Sequence, residues 1–167
     1  MTFEIRRARP ADAAALVQLA EAVGSEPEGW LVTDGSWRNV GEERRYLRTI
    51  AHYPHAAVFV AEDGQRIVGR LSLARDPHPA SAHVADLGLM VAASHRRRGI
   101  GRGLLDAAVG WARESRVRKL ELHVLPHNTA AIALYEGFGF RLEGVRKGQY
   151  QRNGRDLDAV LMAYGVQ

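Results

Sequence analysis

The 167-residue chain predicts a mixed α/β fold in one domain spanning residues 1–167, on three observations. Its length suits a real hydrophobic core, because a chain near 150 residues buries roughly 70% of its unfolded surface. Apolar residues alternate in some segments and recur at helical spacing in others, which interleaves strands with helices. Two strand-to-helix crossovers fall in the second half, so the sheet should be mixed and the chemistry should gather there. No repeat, low-complexity tract or long linker divides the chain.

In order, the pattern predicts a strand over 3–8 and a helix over 11–23, then a Gly-, Pro- and Trp-bearing stretch around 24–40 that wraps the surface. A helix at 41–51 leads to the strand "AAVFVAED", a hairpin turn "DGQ" at 63–65 and the strand "IVGRLSLAR". A strand over 82–92 hands over to a helix over 100–115, whose Ile100, Leu104, Leu105, Ala108, Trp111 and Ala112 form one apolar face. A strand over 118–125 and a helix over 128–137 follow. Asn128 is a natural N-cap after Pro126, and Gly137 and Gly139 supply helix termination. Strands near 139–150 and 156–164 complete the order.

Composition removes several function classes. There is no cysteine, so disulfides, thiolate metal sites and a cysteine nucleophile are excluded. The first residues, "MTFEIRRARPADAAALVQLA", hold no continuous apolar region, and no stretch approaches about 18 apolar residues, so a soluble, cytoplasmic protein without a membrane partner is expected. The net charge is +4, but the 23 basic residues are 21 Arg and 2 Lys, scattered among acidic residues. No helix carries a continuous basic stripe, and nucleic acid is not the expected partner.

The stretch "SHRRRGIGRGLL" lies where a strand hands over to a helix. A helix N-terminus presents unpaired N–H groups and a positive dipole end, while Gly99 and Gly101 have no Cβ to keep an anion away. Arg96, Arg97 and Arg98 add full charges, so a phosphate or pyrophosphate is the natural ligand. The P-loop pattern fails because no lysine stands at the required place, and a dinucleotide fingerprint fails because Gly99, Gly101 and Gly103 give G-x-G-x-G.

Arg-x-x-Gly-x-Gly at Arg96, Gly99 and Gly101 resembles the coenzyme A pyrophosphate loop of the GNAT superfamily of N-acetyltransferases. The segment "NTAAIALYEGFGF", residues 128–140, carries Asn-x-x-Ala-x-x-x-Tyr-x-x-x-Gly-Phe and is similar to the second half of that coenzyme site. Asn128 and Tyr135 are two helical turns apart and lie on nearly one face. The resemblance implies a GNAT fold, with a mixed sheet of about seven strands, splayed central strands and flanking helices. It implies acetyl-CoA as the acetyl donor and no metal. The backbone of Leu89, Met90 and Val91 would bond the pantetheine arm, Arg97, Arg98, Gly99, Ile100, Gly101 and Arg102 would hold the pyrophosphate, and Asn128, Ala131 and Tyr135 would complete the coenzyme site. "HVADLGLMV" and the segment 140–163 look closest to a bacterial branch that acetylates free L-amino acids.

The chemistry needs a base, because an aliphatic amine with a pKa near 10 is protonated at neutral pH. Asp86, on the strand entering the cleft, is the expected base, since several relatives carry an acidic residue at the similar point; His83 and His123 are alternatives. Tyr135 is the expected acid toward the departing thiolate. His123 and His127 do not share a helix face and no third ligand completes them, so no metal site is read. Residues 24–43 hold five acidic residues against one Arg, and could attract a cationic amine or form an ordinary exposed loop. Trp30 and Trp37 could wall an apolar side chain or anchor that loop. The expected acceptor is the primary amine of a small metabolite, foremost an amino acid, with a protein N-terminus or polyamine as the alternative and a non-catalytic coenzyme A binding module as the other class. Family members commonly dimerise through late strands, so a homodimer is expected.

Overall fold

A computed structural model describes residues 2–32 and 37–167. Its centre is a seven-stranded sheet of β1 (Glu4–Arg7), β2 (Ala56–Asp63), β3 (Arg66–Arg75), β4 (Val84–Val91), β5 (Lys119–Val124), β6 (Arg141–Arg152) and β7 (Arg155–Gly165). The spatial order is β1-β2-β3-β4-β5-β7-β6. The flanking helices are α1 (Ala13–Gly24), α2 (Val40–Ile50), α3 (Ile100–Glu114) and α4 (Thr129–Phe138). The mixed α/β order read from the sequence holds, with ends displaced by a residue or two. The first helix opens later than expected because Pro10–Asp12 forms a tight 3-10 turn, in which Asp12 takes the Arg9 N–H at 2.7 Å. No described helix is long and apolar enough to cross a membrane.

Strand alternation divides the sheet into two faces. On one, the predicted α3 face is buried in full: Ile100, Leu104, Leu105, Ala108, Trp111 and Ala112 pack against Leu71, Leu87, Leu120 and Leu122. On the other, α1 and α2 cover the first strands through Leu16, Leu47, Val58 and Val60. Gly69 lets α3 seat closely on β3, since a Cβ there would stand 3.0 Å from Ile100 Cγ2 and 3.2 Å from Leu104 Cδ1. This contact fixes the height of the α3 N-terminus above the sheet.

The consequential feature is the parallel pair β4 and β5. They are matched at only three positions, Val84↔Lys119, Ala85↔Leu120 and Asp86↔Glu121. Beyond Asp86, β4 stays with β3 as far as Val91, and β5 stays with β7 as far as Val124. The sheet opens between them, as the splayed arrangement anticipates.

Because the Gly69 contact positions α3, Gly69→Ala should overpack it and cost about 1–3 kcal/mol. Urea unfolding of the folded variant reads this as a lower midpoint at unchanged slope.

Candidate active site

The turn from β4 to α3 is shaped for an anion. Arg97 (φ 63°) and Gly99 (φ 83°) both adopt the left-handed conformation, and Gly99 is the N-cap of α3 with no side-chain cap. The first helical N–H groups, at Ile100, Gly101 and Arg102, have no carbonyl within the helix to bond. Alternating backbone handedness beside a helix N-terminus gathers N–H groups into a concave, positive cradle. Arg97 and Arg102 line the cavity above it, and Arg102 also stacks on Phe138 at 5.4 Å. Arg98 is exposed and outside the cavity lining.

One expectation for this turn needs correction, and a second residue has a further neighbour. Arg96 does not offer a free charge: its Nε donates to the Val91 carbonyl at 3.1 Å, and its terminal nitrogens clasp both Glu26 oxygens at 2.8 and 2.6 Å. That clasp holds Glu26 below the usual carboxylate range. Gly101 lines the cavity and also abuts α4: an added Cβ would stand 2.7 Å from Leu134 Cδ2, so that side chain would have to move. At Gly99 an added Cβ would meet nothing, and it is the positive φ that favours glycine there.

The turn opens into the gap between β4 and β5. The Ala92 N–H bonds the Val68 carbonyl, and the Val84 carbonyl accepts from Asp76, so the even-numbered residues of β4 turn their polar backbone groups to β3. By alternation, Leu89 and Val91 turn theirs to the gap, past the last pair with β5. Met90 therefore departs from the expected trio: its backbone faces β3, though its side chain is part of the cavity wall.

A cavity of about 640 Å³ runs from the turn through this gap. Asn128, Ala131 and Tyr135 of the second motif line it. Asn128 caps α4 by accepting the Ala131 N–H at 3.2 Å. Tyr135 is 5% exposed, rests 5.6 Å from the Phe140 ring, and burial pushes its hydroxyl well above the usual tyrosine range. The positive cradle, the backbone edge of β4 left without a strand partner and the cavity joining them suit a pyrophosphate at one end and an extended amide-bearing arm along the other.

On the sheet face away from α3, Asp86 stands beside Glu121 in register. Its carboxyl is open to solvent, yet the surrounding protein and then the Glu121 charge push it up to about 6, against a smaller pull from Arg146. Asp86 lies just outside the cavity lining, whereas His123 is part of it and hydrogen-bonds through Nδ1 with the Tyr150 hydroxyl at 2.6 Å. Burial holds His123 below its ordinary pKa. His83 lends its backbone carbonyl to the N–H groups of Arg118 and Lys119 at the base of β5.

The residues that sequence reading missed belong to the roof. His127 donates from Nε2 to the Glu28 carbonyl at 2.9 Å and stacks on Trp30 at 5.6 Å. Arg152 reaches from the end of β6 to the carbonyls of Gly29 and Leu31. Trp30 donates to Glu26 at 2.9 Å. The acidic stretch is thus largely used internally: Glu26 binds Arg96, Glu42 caps α2, and Glu43 lies buried between Arg38 and Arg70. Asp34 falls outside the described residues. Among those described, no group of three potential metal ligands gathers.

Fold and site together are those of a domain with room for a long phosphorylated donor between parted strands. The family model described as acetyltransferase (GNAT) family matches residues 19–140. Over 125 residues the chain is 35% identical to the L-amino acid N-acetyltransferase AaaT of Escherichia coli, covering 72% of this chain and 75% of that one. The solved ribosomal-protein-alanine N-acetyltransferase of Brucella melitensis superimposes with a TM-score of 0.85 at 30% identity, over 97% of this chain and 99% of the other. A phosphinothricin acetyltransferase from Sinorhizobium meliloti, solved in complex with acetyl-CoA, shares the fold with a TM-score of 0.86 at 21% identity, over 99% of this chain and 89% of that one. The chain belongs to the acetyltransferase (GNAT) family and is an acetyl-CoA-dependent N-acetyltransferase.

If Gly101 serves the α3 and α4 contact, Gly101→Ala should lower the melting temperature by several degrees. Adding Leu134→Ala should recover part of that loss, and strictly additive losses would show that the close approach is not the reason for glycine.

Proposed function

We propose that this N-acetyltransferase acetylates the primary amine of a free amino acid, or of a similar small metabolite. The observation that carries the reading is the pinned roof. Arg96, His127 and Arg152 hold residues 26–31 from three sides, and a segment fixed in this way beside the cavity favours a small acceptor over a polypeptide. The relative named for L-amino acids supports the same class.

Acetyl-CoA supplies an acetyl thioester whose arm would pair with the free backbone edge at Leu89 and Val91. An N–H of that edge polarises the carbonyl toward attack. Asp86, ionised above about 6, accepts the proton of the incoming ammonium, either directly or through one water. The amine nitrogen then bonds the acetyl carbon, the carbon–sulfur bond breaks with its electron pair going to sulfur, and the second proton, shed by the nitrogen, passes through water to solvent or to the departing thiolate. Tyr135 is too weak an acid to protonate a thiolate fully at equilibrium, since a thiol near 8.5 is the stronger acid. It donates a hydrogen bond to the sulfur as charge develops there, and stays protonated throughout the working pH range.

A panel of free L-amino acids, polyamines and peptides with a free N-terminus, assayed for thiol release from acetyl-CoA, tests the reading. Free amino acids should give the highest kcat/KM, and turnover confined to peptides would overturn it. Tyr135→Phe keeps the ring and its packing but removes the donor, so kcat should fall about 10²- to 10³-fold while the melting temperature and coenzyme A affinity hold. A base works only when deprotonated, so kcat/KM should climb through about pH 6 and then level. Asp86→Asn should abolish that limb and lower the plateau; a limb retained there but lost in His123→Asn would move the role to the histidine.

A further inference from the structure

On the α1 and α2 side of the cavity, Arg70 of β3 is 2% exposed, yet it forms part of the cavity wall. Its Nη1 donates to Glu43 Oε1 at 2.5 Å, and its guanidinium lies over the Trp37 ring, 4.9 Å from the centroid. Its Nε is buried and meets no acceptor, and the same is true of Trp37 Nε1, also in the cavity wall. Proteins leave few buried donors unpaired, so two in contact on one cavity wall call for an explanation.

Charge points the same way. Glu43 is fully buried and is shared by Arg70 and by Arg38, whose Nη1 donates to Oε2 at 2.6 Å. One carboxylate therefore answers two guanidiniums, both packed against the Tyr46 ring, at 4.0 Å for Arg38 and 5.9 Å for Arg70. Among the described residues the cluster sets two guanidiniums, the half-exposed Arg38 and the buried Arg70, on one carboxylate, so it carries one positive charge in excess beside the cavity. Burial presses the Arg70 pKa down, against the opposing pull of Glu43.

The register places the cluster within reach of the chemistry. Arg70 pairs with Met90 and Ser72 with Gly88, so Arg70, Ser72 and Gly88 follow one another on a single face. Gly88 leaves that floor bare, since an added Cβ would meet only Ser72 Oγ at 3.9 Å. His123 bounds the far side.

We propose that Arg70 and Trp37 form the subsite that receives a carboxylate of the acceptor, so that the enzyme selects amines that are also acids. The proposal rests on the small-acceptor reading above. An acceptor lying over Gly88 presents its amine toward the parted strands and its carboxylate to the buried cation.

The test compares L-amino acids with their own carboxamides, first in turnover. The native enzyme should favour the acid by about 10- to 100-fold in kcat/KM, the range of a charged hydrogen bond. Trp37→Phe keeps the ring beneath Arg70 and removes Nε1, while Arg70→Lys keeps a cation for Glu43 and removes the fork. Each should raise KM for the acid, leave KM for acetyl-CoA in place, and bring the ratio of acid to amide toward one. A folded Trp37→Phe enzyme with the native ratio would overturn the subsite. Calorimetry on the native complex with coenzyme A, titrated with N-acetyl amino acids and their amides, separates the two readings. Carboxylate-dependent binding without amino acid turnover would sink the functional reading and sustain the subsite; equal binding of acid and amide would sink the subsite alone.

Discussion

The structure depends on an interruption: two parallel strands that hydrogen-bond for three residues and then part. Each strand keeps its outer partner, β4 with β3 and β5 with β7, so parting them does not dissolve the sheet. What it creates is a length of backbone with donors and acceptors turned toward a cavity instead of a neighbour. Backbone polar groups are seldom left unpaired in a protein interior, and a ligand with amides of its own can complete the ladder as a missing strand would. The α3 N-terminus stands at the mouth of the same opening, and its height is set by the seat on Gly69. Anion cradle and open edge are consequences of one strand-to-helix handover.

The roof couples the two ends of the site. Residues 26–31 touch the turn between β4 and α3 through the Glu26 and Arg96 clasp, the start of α4 through Trp30 and His127, and the last hairpin through Arg152. Arg96 also holds the Val91 carbonyl, which ties the free edge of β4 to the loop above the acceptor. The acceptor pocket is thereby built from segments far apart in sequence, while the donor site comes from a nearly continuous one.

That difference decides what could be read from the sequence. The α3 face was legible because apolar spacing reports burial directly, and the strand-to-helix turn at 96–103 because its glycines fall between an alternating segment and a helical one. The places where reading went astray are those where a second neighbour decides. Arg96 is engaged by Glu26, seventy residues back, and Gly101 abuts Leu134, more than thirty residues on. Met90 depends on which strand its backbone faces, which register alone settles. The acidic stretch left two readings open, an attractor for cations or an ordinary exposed loop, because its partners, Arg96, Arg38 and Arg70, are not visible from its own letters. Buried Arg70 gave no signal at all, sitting in an apolar run as one polar residue among alternating ones.

The most direct test of the central claim is amide hydrogen exchange with and without coenzyme A. The Leu89 and Val91 amides, turned to the gap, should exchange readily in the free protein and become protected when the coenzyme lies between β4 and β5. The Met90 amide, bonded to β3, should be protected in both states. Unchanged exchange at Leu89 and Val91 in a protein saturated with coenzyme A would contradict the account.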